Sequence, residues 1–561
     1  MGAVTIVGEK MGNDGVIPIR DRAVPVGRIE FDNLSSSMTT SVEEMLQGRL
    51  GNVDITAISG DPGAGLNIRI RGTATLNARN SPLIVINGIP YDTQIDETFD
   101  FGSADVEKFG SLIDVSPEDI ESIEVLKDAG ATAIWGSKAS NGVLMIKTKR
   151  GTRSKPIFEY TSKLTRANEP YQIPMLNGGD YAKLIAESHY NLDERNNFFE
   201  TDPNAIEIAY NKDWEEYWNY AQNTNWIDEI TRVAYTHQHH FSVRGGGEKS
   251  GYKVSVGYND ESGTTIGTRL KKLNIGTAFD YTISSKLKFY SDILYTHYDQ
   301  DANYDFEDET YKYEKSLRSM AYRRMPNLSV YVRDTNNIPY EEYFTPRNTL
   351  QGTAEDLVNP VAFADLAKHK RYKDNLRAGF NLVYRINDRL TMNSTITLDV
   401  FDSKMEKFLP FKAIGFNFSD DITRRATNEF TNKSSIYNMT KLIYSPIINE
   451  NHDLKILGQF DGEISKTRAY HLETSNAFSE YETTTLGDKT ITDMWAWFVE
   501  YKSLGFFLNA YYKFKDKYIF SRCSAPKCGG YLRGALFYLS LASRTAKWSN
   551  ASALLLSLIH I

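Results

Sequence analysis

Alternation of apolar and polar residues is the dominant pattern along the chain. Between residues 233 and 244, one face carries Val, Tyr, Phe and two His side chains, and the other carries mainly polar ones. A period of two predicts a β-strand, because successive strand side chains point to opposite faces. The glycine-rich residues 245–249 then predict a tight hairpin. About eleven such strands are predicted, and those with a clear pattern besides 233–244 lie at 156–166, 252–258, 272–283, 286–295, 378–386, 392–400, 433–446, 452–466 and 500–521.

These predicted strands are long, at about 10–17 residues, whereas soluble strands average about 5–6. Long strands with one apolar and one polar face are typical of outer-membrane barrels, which contact lipid outside and a watery lumen inside. Tyr235, Tyr258 and Tyr295 lie near strand ends, as interfacial tyrosines do. Short turns alternate with a connection of nearly seventy residues between 299 and 370, which is typical of a barrel. On periodicity alone, a large soluble or extracellular β-domain with a half-buried sheet remains the alternative.

Composition excludes several other classes of protein. The 561 residues carry a net charge of −8, whereas nucleic-acid binders are usually basic. Charged residues make up 24%, and no run reaches the roughly 18 apolar residues that a membrane-spanning helix needs. Hydrophobic residues, at 41%, are too frequent for global disorder. Met1 is not followed by an export signal, so either the protein is not exported or its natural start lies upstream.

The chain divides into four parts by pattern and composition. These are a lead-in at 1–35, a compact α/β domain at 36–150, the long-stranded region at 151–521 and a tail at 522–561. The tail holds both cysteines, Cys523 and Cys528, with five basic residues and no acidic one. Their spacing suits neither a disulfide framework nor a zinc ribbon. The abrupt change in composition favours a tail that is translated out of frame, and the alternative is a lineage-specific C-terminus.

Local signals predict helices and turns within residues 36–150. Residues 41–49 predict an amphipathic helix that Gly48 ends. Asn87 and Gly88 separate two apolar runs and form a strong signal for a two-residue hairpin turn. Ser116, followed by Pro117 and several acids, predicts the start of a second helix.

Five motifs follow one another between residues 46 and 151. They are LQGRL, SGDPGAG, IRIRG, SPLIVINGIP and SPEDIESIEVLKDAGATAIWGSKASNGVLMIKTKRG. This succession of about 110 residues resembles the plug domain of TonB-dependent outer-membrane receptors, and more closely the SusC/RagA family of Bacteroidota. At Asn87 that family more often has Asp, but Asn suits the turn equally well. The plug-motif residues implied by the resemblance are Gln47, Gly48, Arg49, Arg69, Arg71, Gly72, Asn87, Gly88, Glu121, Glu124, Lys127, Asp128, Gly136, Asn141 and Gly142.

The resemblance implies a small α/β plug domain followed by a transmembrane antiparallel β-barrel, with about eleven of its 22 strands in this chain. It implies import of a large nutrient, an oligosaccharide or a peptide, across the bacterial outer membrane, without catalytic residues or a cofactor. The implied partners are TonB with ExbB and ExbD, a SusD-like surface lipoprotein and outer-membrane lipid, and no nucleic acid. The chain is expected to be truncated at both ends. The alternative is a surface recognition or adhesion protein on the same scaffold without transport.

In this family TonB binds a short extended segment that precedes the plug, by strand addition. The candidate segment here is weak, and an ordinary strand explains it equally well. It consists of Val4, Thr5, Ile6, Val7 and Gly8.

Charged residues of the predicted plug have two interpretations each. Arg69 and Arg71 share one face of a strand, and either pair with lumen-facing carboxylates of the barrel or are solvated. For the acids after Ser116, a role as helix-start and surface charges is favoured over ion pairs with the barrel or TonB. Those acids are Glu118, Asp119, Glu121, Glu124 and Asp128.

Rival chemistry is weakly supported. His237, His239 and His240 have no Cys or carboxylate partners in the sequence, so a metal site is not predicted. Alternation puts His240 on the lumen face and the other two on the lipid face. The acidic residues between 299 and 309 predict a solvated extracellular loop, because a calcium loop would need a central Gly and a final Glu. No catalytic constellation stands out, and the sequence does not identify substrate-binding residues.

Overall fold

A computed structural model describes most of the chain. The predicted TonB segment, the acidic residues after 304, Arg71, Asp128 and Gly136 lie outside the described residues. Those are 27–30, 42–57, 60–63, 66–70, 72, 82–91, 114–127, 135, 139–169, 171–192, 206–208, 211–304, 316–346, 358–414, 424–449, 451–477, 484–487, 489–515, 518–524, 527–533 and 537–538.

The N-terminal part forms a small α/β domain, as predicted. Its elements are β1 (Gly27–Glu30), α1 (Val42–Leu46), β2 (Val53–Ala57), β3 (Leu66–Ile70), β4 (Leu83–Ile86), β5 (Ile89–Tyr91), β6 (Ile120–Leu126) and β7 (Val143–Thr148). Five strands form a sheet in the order β1-β6-β7-β4-β5, in which β4 and β7 are parallel, while β2 and β3 form a separate hairpin. Ile120, Ile123 and Ile146 are fully buried against α1. Burial of these apolar residues stabilises the domain.

Two of three local predictions in this domain are confirmed. The helix α1 lies within 41–49, and Asn87 and Gly88 join β4 to β5 with φ angles of 51° and 83°. The helix predicted at Ser116 is wrong. Residues Pro117–Asp119 form a single 3-10 turn, and β6 begins at the next residue. The β-branched residues that follow favour a strand, and their burial in the sheet outweighs the helix-start signals.

Most other strands belong to one antiparallel sheet, here called the wall sheet. In chain order the remaining strands are β8 (Ile157–Ala167), β9 (Ala234–Gly246), β10 (Ser250–Ser262), β11 (Arg269–Thr282), β12 (Leu287–Asp301), β13 (Tyr331–Arg333), β14 (Pro339–Tyr343), β15 (Lys368–Asn387), β16 (Leu390–Leu409), β17 (Arg425–Tyr444), β18 (Ile447–Asn449), β19 (His452–Ser475), β20 (Thr490–Phe514), β21 (Tyr518–Ser524), β22 (Lys527–Arg533) and β23 (Phe537–Tyr538). Within the described residues, the continuous path of the wall sheet is β8-β9-β10-β11-β12-β15-β16-β17-β19-β20-β21. These eleven strands confirm the predicted number and the antiparallel order.

The two faces of the wall sheet differ in polarity. On the outer face, turned away from the N-terminal domain, large apolar side chains are more than a third exposed, among them Phe241, Val256, Leu398 and Ile436. The inner face carries polar side chains at the alternate positions, including Lys253, Ser255, Thr395, Lys441 and Gln459. An exposed apolar face over long strands is what contact with lipid requires.

Short turns and long connections alternate along the wall sheet, as predicted. Turns at 247–249, 283–286 and 388–389 lie on one side, and connections at 168–233 and 302–367 lie on the other. These two long connections contain helices α2 (Gly178–Leu192), α3 (Tyr217–Tyr220), α4 (Trp226–Ile230), α5 (Leu317–Arg323) and α6 (Pro360–Leu366), and the connection at 410–424 on the same side contains α7 (Phe411–Ile414). Their buried side chains, such as Trp226, Met320 and Phe363, form a second hydrophobic core. Among the helices of the described residues, none has the length and apolar character to cross a membrane.

The predicted tail begins within the last strands of the wall sheet. Strands β21, β22 and β23 pair antiparallel, one after another, with successive parts of β20. Residues 539–561 lie outside the described residues. The out-of-frame origin of residues 522–561 stays a prediction.

Candidate functional site: the contact between the N-terminal domain and the wall sheet

The N-terminal domain packs on the inner face through the turn that precedes β6. Asp119, in that turn, accepts hydrogen bonds from Lys253 Nζ at 2.5 Å and from Ser255 Oγ at 2.6 Å, both on β10. His240 Nε2, on β9, lies 3.1 Å from the same carboxylate. Only 10% of the Asp119 side chain and 6% of the Lys253 side chain are exposed. The two structural units are therefore joined by a buried ionic cluster.

The electrostatic environment keeps Asp119 ionised. Burial alone would raise the pKa of this carboxyl, but the His240 hydrogen bond and the Lys253 charge outweigh burial, so the pKa lies well below its usual range. The interpretation of Asp119 as a helix-start or surface charge is wrong, because the predicted helix is absent and the carboxylate faces the wall sheet. The contact with the barrel, the less favoured interpretation, describes it correctly.

Glu118 makes a second ionic contact from the same turn. Its carboxylate accepts a hydrogen bond from Lys163 Nζ of β8 at 3.0 Å, and another from Ser116 Oγ at 2.8 Å. Burial opposes ionisation, but the Lys163 charge outweighs burial and lowers the pKa of Glu118. The surface-charge interpretation is wrong here too, since the partner lies on the wall sheet.

Asp114 anchors the chain just before this turn. It is 5% exposed. Its carboxylate accepts hydrogen bonds from Tyr91 of β5, from Tyr298 Oη at 2.7 Å and from Asn375 Nδ2 at 2.5 Å. Lys373 Nζ lies 3.7 Å away. Burial raises the pKa of Asp114, but the nearby lysines outweigh it and the pKa is lowered. The cluster links one edge of the N-terminal sheet to β12 and β15.

The linker between the two units is fixed by Arg150, which follows β7. Its guanidinium donates to Asp280 on β11 at 2.5 Å and to Asp292 on β12. Gly151 lies so close to β10 that an added Cβ would stand 2.2 Å from the backbone nitrogen of Tyr252. The linker therefore uses a cation that bridges two carboxylates, followed by a residue without a side chain.

The side chain of Asn87 forms hydrogen bonds in addition to the turn that its backbone makes. The side-chain amide donates to Thr148 Oγ1 at 2.8 Å and contacts Asp292 Oδ1 at 3.4 Å, and its carbonyl accepts from the Thr148 backbone. Sequence reasoning treated Asn and Asp as equivalent in this turn. The amide is the better match here, since a carboxylate would face Asp292.

Other predicted plug residues support the domain internally. Glu124 pairs with Arg28 of β1 at 2.6 Å, Glu121 pairs with Lys147 at 2.6 Å, and Gln47 donates to the Ile55 carbonyl at 3.1 Å. Lys127 donates to the Gly51 carbonyl. The surface-charge interpretation fits Glu121, which is 43% exposed, but not Glu124, which is buried. Positive φ angles are found at Gly48, Gly72, Gly88 and Gly142.

The sequence left two interpretations for Arg69, an ion pair with a lumen-facing carboxylate of the wall or a solvated side chain. Arg69 is half-buried and stands opposite Asp54 in the β2–β3 hairpin. Among the ion pairs of the described residues, none joins Arg69 to a wall-sheet carboxylate. The observed charge pattern is the reverse of the one predicted for the arginines, with acids of the N-terminal domain paired with lysines of the wall sheet. The exposed Arg49, and Asn141 and Gly142 before β7, lie in turns away from this contact.

The three histidines lie where alternation places them. His240 is buried on the inner face against Asp119. His239 is exposed on the outer face, where its Nδ1 is 2.8 Å from the Tyr160 hydroxyl. Within the described residues, no group of three possible metal ligands comes together. Lys253 and Ser255 were missed as partners, and their only sequence signal is their position on the polar face of β10.

The comparisons with known proteins agree with this architecture. Residues 18–143 match the family model of the TonB-dependent Receptor Plug Domain. The chain is 34% identical over 250 residues to TonB-dependent receptor SusC of Bacteroides thetaiotaomicron, covering 44% of this chain and 22% of that protein. It is 26% identical over 450 residues to TonB-dependent receptor P3 of Formosa agariphila, covering 80% of this chain and 39% of that one.

A solved structure is also similar. The RagAB peptide importer in its "closed-closed" state aligns with a TM-score of 0.71 and 19% identity over 90% of this chain and 56% of the importer chain. At that identity the likeness shows the fold. The chain spans under two fifths of the length of the curated relatives named above and just over half of the solved one.

Proposed function

We propose that this chain, which belongs to the SusC/RagA type of TonB-dependent receptors, imports a large nutrient across the bacterial outer membrane. The nutrient is an oligosaccharide or a peptide. The outer face of the wall sheet contacts outer-membrane lipid, and the N-terminal domain acts as the plug of the path along the inner face. The protein is a transporter and not an enzyme.

The buried contact of Asp119 with Lys253 and His240 carries the proposal. A charged contact at this depth stabilises a defined position of one unit against another, because the unpaired charges would be costly. It seats the N-terminal domain on the polar face of a sheet whose other face is apolar. A plug on the lumen side of a membrane-spanning wall accounts for both features.

Energy coupling is proposed to enter through the N-terminal edge of the plug. Strand β1 is an edge strand that pairs only with β6 in the described sheet. A pull on the chain ahead of β1 would therefore act on one edge of the sheet, while the contacts of Asp114, Asp119 and Arg150 hold the other elements to the wall. TonB, with ExbB and ExbD, is the proposed source of the pull. A SusD-like surface lipoprotein is the proposed partner on the long-connection side.

Uptake in the native organism tests the proposal. Deletion of the receptor gene is expected to abolish growth on one oligosaccharide or peptide source, and inactivation of TonB is expected to abolish it equally. Growth on free glucose or amino acids is the control. If cells that carry the receptor bind the nutrient but show no receptor-dependent uptake, the adhesion protein is favoured instead.

A further inference from the structure

A pair of tryptophans lies on the inner face of the wall sheet, near the side of the long connections. Trp495 and Trp497 are half-buried residues of β20, and cross-strand register places them opposite His471 and Ala469 of β19. The pattern of faces fixes their side. Tyr470 of β19 is on the outer face, where its ring stacks on that of Phe430. His471 is the next residue, so alternation turns His471 and its cross-strand partner Trp495 inward.

The indole of Trp495 is held in place by the imidazole of His471. Their ring centroids are 5.1 Å apart and the rings are nearly parallel, at 5°. His471 Nδ1 in turn lies 3.3 Å from Glu429 Oε1, and its Nε2 lies 3.6 Å from Asp493 Oδ2. One face of the indole is thus covered by His471, which two carboxylates orient. The arrangement fixes an aromatic surface before any ligand arrives.

Polar groups surround this aromatic surface. The side chains of Asp493 and Glu429 are 53% and 37% exposed. Beside them, Glu473 accepts a hydrogen bond from Thr492 Oγ1 at 2.9 Å and lies 3.5 Å from Arg425 Nε. The exposed carboxylate oxygens are acceptors for donors of a ligand that rests on the rings.

The site lies apart from the plug. The N-terminal domain reaches β17 at Met439 and Tyr437, through a cluster that includes Trp135. Met439 aligns through Asp461 of β19 with Gly505 of β20. Ten residues separate Gly505 from Trp495, which is about 33 Å along a strand. A ligand would therefore meet the tryptophans on the long-connection side, well before it reaches the plug.

We propose that Trp495 and Trp497, with His471, Glu429 and Asp493, form a binding site for pyranose rings of a glycan entering the wall lumen. The apolar C–H face of a pyranose packs on an indole, and its hydroxyls donate to neighbouring carboxylates. Alternate residues of a strand are about 7 Å apart along it, so a glycan of several sugar units can reach both tryptophans. The inference rests on the proposed import function, and it selects the glycan over the peptide.

Binding to the purified full-length receptor tests this site. The probes are maltohexaose, cellohexaose and laminarihexaose, with a tryptic digest of casein as the peptide probe. Trp495→Ala is expected to weaken binding of at least one hexasaccharide by about two- to tenfold, the range of one aromatic contact, and Trp497→Ala similarly. Trp495→Phe is expected to restore most of the affinity. Tyr470→Ala, an aromatic substitution one residue from His471 on the outer face, is the matched control and leaves the affinity unchanged.

Three results would overturn the site. They are hexasaccharide binding that is insensitive to both Trp→Ala variants, binding of casein peptides that depends on Trp495, or a folded receptor that binds none of the three hexasaccharides. Folding is checked by the heat-dependent shift of the receptor on a gel. Receptor- and TonB-dependent growth is measured in the same strains, so that failure of the glycan site is distinguished from failure of the import function.

Discussion

Substitution of Asp119 by Asn should weaken plug seating more than any comparable change on the domain surface. The amide keeps the shape of the side chain but leaves Lys253, only 6% exposed, without its counter-charge. Removal of one partner from a buried ion pair costs about 3–5 kcal/mol. With an assumed urea dependence of about 2 kcal/mol/M, unfolding of the plug should move to lower urea by about 1.5–2.5 M.

Conductance of the full-length receptor in a planar bilayer measures this shift. Urea that unfolds the proposed plug is expected to open the proposed path along the inner face, so the midpoint of channel opening should report plug stability. Glu121→Gln is the matched control, since its partner Lys147 is 42% exposed and the pair joins neighbouring strands β6 and β7 of the same domain. An exposed pair contributes about 0–1 kcal/mol, so the control should shift the midpoint by about 0.5 M or less.

A double variant separates the ion pair from the general effects of substitution. Asp119→Asn together with Lys253→Met removes both charges, and it should be less destabilising than the sum of the single changes. Equal midpoints for Asp119→Asn and Glu121→Gln would show that the buried ion pair does not seat the domain, and so would additivity in the double variant.

Three further predictions concern the same contact. Arg150→Gln leaves Asp280 and Asp292 without the cation between them, and removes hydrogen bonds worth about 1.5–3 kcal/mol. The urea midpoint in the same conductance assay should fall by about 1 M, and no change would show that other groups fix the linker. Gly151→Ala should prevent assembly of folded receptor, because the new Cβ would stand 2.2 Å from a β10 nitrogen. Gly247→Ala should be tolerated, because its Cβ would meet only Ser250 Oγ at an ordinary contact distance of 3.8 Å, and a heat-shift gel compares the two variants. Because the pKa values of Asp114, Glu118 and Asp119 are lowered in the folded protein, their ionic stabilisation should be fully present above about pH 4–5 and be lost as the pH falls further. If these acids caused the urea midpoint of channel opening to fall between pH 8 and pH 6, their pKa values could not be lowered in the folded protein.

The sequence predicted the wall sheet well, because its signal is local. A period of two over long segments specifies both the strand and its two faces, and the observed polarity follows it residue by residue, as in Phe241 and His240. The turn at Asn87 was equally predictable, since two adjacent residues determine it.

The plug contact could not be predicted in the same way. Asp119 is separated by 121 residues from His240 and by 134 from Lys253, and no local pattern pairs them. The acids after Ser116 match the composition of a helix start so well that the contact was concealed. Only the three-dimensional position of the turn shows that these acids face the wall sheet.

The conductance of the receptor with and without its N-terminal domain is the decisive measurement of whether this domain closes a path through the wall. We expect the intact receptor to be closed in a planar bilayer, and removal of the domain up to Arg150 to open a large, steady conductance. An intact receptor that conducts as well as the shortened one would contradict the claim that this domain plugs a path along the inner face.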